Sequence, residues 1–114
     1  MSVMLPGEVY LMNLGKPDGL SEERGTRPCV IVSSELHNTV NKSVVVVPLT
    51  TQTNKAHWHE HHMCNYHGTS DPTVAMCEHV REVDKRRIVG EMLGVMSEGD
   101  MIVIQTILKE ITLG

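Results

Sequence analysis

Val44-Val45-Val46-Val47-Pro48-Leu49 is the most strand-like stretch of the chain, since β-branched residues fit a pleated sheet. Pro48 cannot donate to a hydrogen-bond ladder, so it predicts an edge or the point where the strand leaves the sheet. Thr50-Thr51-Gln52-Thr53 follows at once and sets hydroxyl and amide groups at the strand end. Toward the N-terminus lies Gly25-Thr26-Arg27-Pro28-Cys29-Val30-Ile31-Val32-Ser33. Pro28 biases Arg27 to an extended backbone, and Cys29–Ser33 predicts a buried strand with Arg27 at its mouth. A guanidinium fixed there can hold a phosphate or carboxylate by two parallel hydrogen bonds, although an arginine before a strand is as often a plain surface residue. Further out, Glu8–Leu14 predicts a first strand closed by Gly15 and Pro17. Gly15–Thr26 is a long polar loop carrying Glu22, Glu23 and Arg24, and structureless loops of that length tend to be functional or mobile.

Toward the C-terminus, Glu35–Asn41 is a connection with room for one helical turn. Ala56–Cys64 predicts a fourth strand, Asn65–Pro72 a turn and Thr73–Cys77 a fifth strand. Glu78-His79-Val80-Arg81 follows, then the basic run Lys85-Arg86-Arg87 and a short last strand at Ile88-Val89. Ser97 is a good N-cap, with acidic residues in the first turn after it. Ile104, Ile107, Leu108 and Ile111 fall at i, i+3, i+4 and i+7, one apolar helical face. Five or six short strands plus a C-terminal helix describe a mainly β, α+β chain: a small, partly open β-barrel with helices added.

The totals narrow the function classes. With 114 residues the chain is one domain, 1–114, large enough for a real core. No window approaches the ~18 apolar residues that suggest a membrane helix, and Met1–Pro6 has no basic residue ahead of its apolar ones, unlike a secretory signal. Three cysteines without framework spacing point to reduced thiols in a cytoplasm. A net charge of −4 argues against non-specific duplex binding. Trp58, Tyr10 and Tyr66 are the only aromatic rings apart from histidine, so stacking platforms for bases are scarce.

Gly7-Glu8-Val9-Tyr10, then Gly25-Thr26-Arg27-Pro28, then Val47-Pro48-Leu49-Thr50-Thr51 resembles the MazF/PemK (Kid-like) toxins of toxin–antitoxin pairs. Glu78-His79-Val80-Arg81-Glu82-Val83-Asp84-Lys85-Arg86-Arg87-Ile88 is similar to that family's next block, and the match runs in order from Gly7 to Leu113. The resemblance implies an SH3-like, PemK-type barrel acting as a homodimer. It also implies a metal-independent, cofactor-free endoribonuclease cutting single-stranded RNA at short sequences. In that family the substrate's 2′-hydroxyl attacks, leaving a 5′-hydroxyl and a cyclic or 3′-phosphate. The implied partner is an antitoxin whose tail covers the RNA groove, with DNA bound only through the antitoxin.

Such an attack needs a proton acceptor, stabilisation of a dianionic pentavalent phosphate and a proton donor to the leaving oxygen. Arg27 suits the second, being permanently charged with donors that match phosphate oxygens. Thr50 matches the family's essential threonine and can position the phosphate or the 2′-oxygen; the competing expectation is a hydroxyl bonded to its own backbone. Glu78 stands where relatives carry an acidic residue and is the candidate base, the alternative being a salt-bridge partner of Arg27 and Arg81. Glu22 matches a functional glutamate and can orient Arg27. Thr51, Gln52, His59, His79 and Arg81 complete the candidate RNA contacts.

His79 replaces the family's usual Gln, and Glu82 its Thr or Ser, which puts the cut sequence in doubt more than the reaction. His57, His59, His61, His62 and His67 cluster near Cys64. On a strand, His57, His59 and His61 would share one face, yet their spacing matches no closed metal site, so a solvated or RNA-facing strand is expected. Lys85-Arg86-Arg87 with Arg81 and Arg24 is either an electrostatic funnel for RNA and an acidic tail or a solvated face. The alternatives to a ribonuclease are a silent module that binds RNA or antitoxin, a same-fold toxin acting on a protein such as gyrase, and a metal-binding module.

Overall fold

The computed structural model describes residues 3–15, 25–54, 59–69 and 71–113. In chain order these form β1 (Glu8–Asn13), β2 (Thr26–Ile31), α1 (Glu35–Val40), β3 (Ser43–Thr50), β4 (His61–Cys64), β5 (Tyr66–His67), β6 (Thr73–Met76), β7 (Arg81–Asp84), β8 (Ile88–Met96) and α2 (Glu98–Leu113). Short 3₁₀ turns occupy Cys77–His79 and Lys85–Arg87.

The valine run is the hub. β3 pairs antiparallel with β2 on one side; on the other it pairs with β7 through Ser43–Val46 and with β6 through Leu49 and Thr50. Val44 and Val46 point into one apolar cluster with Met12, Cys29, Ile31 and Val83. Val47 and Leu49 point into the other, with Val9, Val30, Met96 and Ile104. An uninterrupted apolar run is the sequence of a strand covered on both faces. Pro48 falls between the β7-paired and β6-paired segments, where the missing N–H costs no bond to either strand.

The strand order is β4-β6-β3-β2-β1-β8-β5, with β7 beside β3. β4 and β5 are the two ends of that path, yet only Asn65 separates them in sequence. One residue spans at most ~3.6 Å, so the ends must meet and the sheet curls into a partly open barrel. Helix α2 closes it. Its Met101, Ile104 and Ile107 are buried in the first cluster, with Leu108 and Ile111 packed against them, which is the predicted face. Ser97 caps it, its Oγ accepting from the Asp100 N–H at 3.1 Å. Ser97→Ala should therefore cost ~0.5–2 kcal/mol of unfolding free energy. A denaturation midpoint equal to wild type would show that the cap contributes nothing.

Several expected boundaries move. β2 starts at Thr26 rather than Cys29, so Arg27 sits inside a strand, opposite Met12 of β1. β4 is shorter than Ala56–Cys64: His59 lies in a turn and residues 55–58 fall outside the described residues, so the shared face of His57, His59 and His61 is not what the structure shows. The expected Asn65–Pro72 turn contains β5, which pairs with β8. β7 was not foreseen. The last strand runs on past Gly90, whose φ of +77° lets the chain bend, to Met96. Its face is largely exposed and lacks apolar alternation, and it is held by backbone pairing to β1 and β5.

Candidate active site

In the β2–β3 pair, Cys29 faces Pro48 and Val30 faces Val47. The ladder ends there, with Arg27 two residues before Cys29 on β2 and Thr50 two residues after Pro48 on β3. Both line one cleft of about 370 Å³, with Pro28 and Leu49 as apolar wall and Thr51 and Gln52 beyond the end of β3. Arg27 is half-buried and Thr50 only 8% exposed, so the pair works in a partly dehydrated setting where charge interactions strengthen. Thr50 Oγ1 accepts a hydrogen bond from the Gln52 N–H at 3.2 Å, leaving its own proton free to donate to a ligand.

The cleft is lined also by Tyr66, Thr69 and Asp71, which the sequence places in the Asn65–Pro72 turn, and by Thr73 at the start of β6, the strand paired with Leu49 and Thr50. Gly68 is what brings them there. At its φ of +125°, a Cβ would stand 2.3 Å from the Leu93 carbonyl oxygen, so only glycine lets this loop lie against β8. The clue available in the sequence was Gly68 itself, two residues after Tyr66 and just before Thr69-Ser70.

Other expected site residues lie elsewhere. Glu78 is in the 3₁₀ turn after β6, its Oε2 2.6 Å from His61 Nε2 and 3.4 Å from His79 Nε2, and it does not line the cleft. His61 is 5% exposed, so this is an internal contact. His62 Nε2 lies 2.8 Å from Asp100 Oδ1 and ties β4 to the start of α2. His59 is 83% exposed, its Nε2 3.7 Å from Glu60 Oε2. Arg81 donates to the Leu14 carbonyl at 3.3 Å. Glu22, Arg24 and His57 lie outside the described residues.

The basic run is anchored as well. Lys85 Nζ bonds to the Asn38 carbonyl, Arg87 donates to the Asn13 carbonyl at 3.2 Å, and Arg86 grips Asp84 at 3.1–3.2 Å. The Arg86 hydrogen bonds hold the Asp84 carboxyl below the usual carboxylate range. Among the described residues no group of three or more His, Cys, Asp or Glu side chains is arranged to hold a metal ion. Burial pushes the Cys64 thiol up to about 11 and the Cys77 thiol up to about 12, so neither is a nucleophile near neutrality. No helix among the described residues is long and apolar enough to cross a membrane.

The model of the PemK-like, MazF-like toxins of type II toxin–antitoxin systems matches residues 5–112. The chain is 35% identical to Endoribonuclease MazF of Staphylococcus epidermidis, over 95% of this chain and 89% of that one. It is 33% identical to Endoribonuclease MazF of Staphylococcus saprophyticus, over 87% and 82%. Its fold matches crystalline MazF of Deinococcus radiodurans with a TM-score of 0.84 at 19% identity, each chain fully covered. It also matches a mycobacterial endoribonuclease in complex with its cognate antitoxin, with a TM-score of 0.72 at 27% identity over 94% and 92% of the two chains.

Proposed function

The chain belongs to the PemK-like, MazF-like toxins of type II toxin–antitoxin systems, and from that premise we propose that it is an endoribonuclease toxin that cuts single-stranded RNA at the Arg27–Thr50 cleft. The observation that carries this is the placement of a half-buried guanidinium and a nearly buried hydroxyl, on neighbouring strands, in one opening. The substrate's 2′-oxygen gives its proton to water and attacks the adjacent phosphorus while the bond to the 5′-oxygen breaks and that oxygen takes a proton from water. The products are a cyclic phosphate, which water opens to a 3′-phosphate, and a 5′-hydroxyl. Arg27 neutralises the charge that grows on the phosphate oxygens, and a fixed donor does this without reorganising during the step. Thr50 donates to a phosphate oxygen and fixes its place. Neither role calls for a metal.

Glu78 enters this scheme only as an expectation from family resemblance. Its carboxylate is engaged by His61 and His79 outside the cleft walls, and we assign it no step. Thr51 and Gln52 are proposed as contacts to the RNA beyond the scissile phosphate. A homodimer is supported by the apolar side chains that β8 leaves exposed, Val89, Met92, Leu93 and Val95, with Ile102 on α2 nearby across a groove lined also by Pro6 and Met101. The proposed setting is a cytoplasm, with an antitoxin covering the groove and any DNA contact made through it.

The test is incubation of the purified protein with long single-stranded RNA in EDTA. Discrete cuts carrying 5′-hydroxyl ends, labelled by a kinase without prior phosphatase, are expected. Folded protein that leaves every RNA intact would remove the ribonuclease proposal.

A further inference from the structure

Of the described residues lining the cleft, Arg27 is the one permanent cation and Asp71 the one carboxylate. None of the ion pairs among the described residues neutralises Asp71. A carboxylate on the path of an RNA backbone is repelled by every phosphate, while Arg27 and Thr50 in the same cleft attract them. A nucleotide in this cleft is therefore oriented by charge, its phosphate toward Arg27 and its base toward Asp71.

The backbone at Asp71 is tied into its loop. Its N–H donates to Thr69 Oγ1 at 3.2 Å, and the loop that carries both is seated on β8 at Gly68. A carboxylate accepts hydrogen bonds and donates none. Adenine, cytosine and guanine each present an exocyclic amino group, whereas uracil presents two carbonyl oxygens flanking a single N–H. Facing a carboxylate, uracil's oxygens are left repelled.

We propose that Asp71 is a specificity-determining residue of the RNA cleft, accepting a hydrogen bond from the exocyclic amino group of one substrate base and so excluding uracil at that position. The proposal rests on the ribonuclease assignment for its cleavage readout, but not for its binding readout.

Two measurements separate them. In the first, a randomised single-stranded pool of 2′-O-methyl RNA, which cannot undergo 2′-hydroxyl attack, is selected for binding to wild type and to Asp71→Asn. Wild type should deplete uracil about tenfold at one position. Asp71→Asn keeps the size but adds a donor that can meet a uracil oxygen, so the depletion should vanish there while the other positions keep their preferences. In the second, cut sites in unmodified RNA are aligned, and the same position should change in the same way. Uracil accepted by wild type at every bound position, or an identical pattern for the variant, overturns the proposal. Asp71→Asn that stops cleavage of every sequence with base selectivity unchanged also overturns it, since Asp71 would then act on the reaction rather than the base. Selective binding with no cleavage by wild type removes the ribonuclease assignment and leaves the recognition inference standing. Asp71 is exposed, so the variant should melt with wild type, which a thermal scan verifies.

Discussion

Arg27→Ala is expected to lower kcat/KM for single-stranded RNA by about 10²–10³-fold, the cost of deleting one preorganised donor to developing negative charge. Most of the loss should fall in kcat, because the interaction strengthens as the phosphate passes to its dianionic pentavalent form. Arg27→Lys should recover little. Lysine keeps the charge but lacks the planar fork that holds two phosphate oxygens at once. Thr50→Ala should cost a comparable factor, and Thr50→Ser should restore much of it by keeping the hydroxyl that also receives the Gln52 N–H. The two residues line one cleft from neighbouring strands and act on one phosphate, so the double variant should lose less than the product of the single losses. A folded Arg27→Ala protein that cuts RNA at the wild-type rate would sink the assignment of the cleft.

The largest effect on stability is expected from Ile104→Ala. Ile104 is fully buried at the centre of the α2 face, in one cluster with Val9, Val30, Val47 and Leu49. Truncating it removes three carbons and leaves a cavity between the helix and the barrel, at a cost of ~2–5 kcal/mol. Against the ~5–15 kcal/mol that holds a domain of this size, that is a large fraction. In urea the midpoint should fall with the slope unchanged, as the surface exposed on unfolding stays nearly the same. A loss under ~1 kcal/mol would mean that α2 lies on the barrel without closing it. Lys109→Ala, on the exposed side of the same helix, is the control and should change stability little.

Much of this molecule is set by short-range chemistry and is legible in the chain. The valine run had to be a strand, because a β-branched, unbroken apolar stretch is satisfied only between two apolar layers, and it lies between two. The C-terminal helix follows from Ser97 and the spacing of Ile104, Ile107, Leu108 and Ile111, all interactions within two turns of chain. Arg27 and Thr50 stand out from local context alone, and the resemblance of ordered motifs carries the family.

What the tertiary structure decided is who meets whom. Arg27 and Thr50 are 23 residues apart, and only the pairing of β2 with β3 brings them to one cleft. Asp71 and Thr69 join them because Gly68 seats its loop on β8, a contact with Leu93 that no local pattern announces. Glu78 looks like a free acid in sequence, yet folding delivers His61 to it, and the histidine row becomes separate pairings with Glu78 and Asp100. β7 and most of β8 were illegible for the same reason. A strand with an exposed face is held by the backbone of its neighbours, and backbone hydrogen bonds leave no mark on the side-chain sequence.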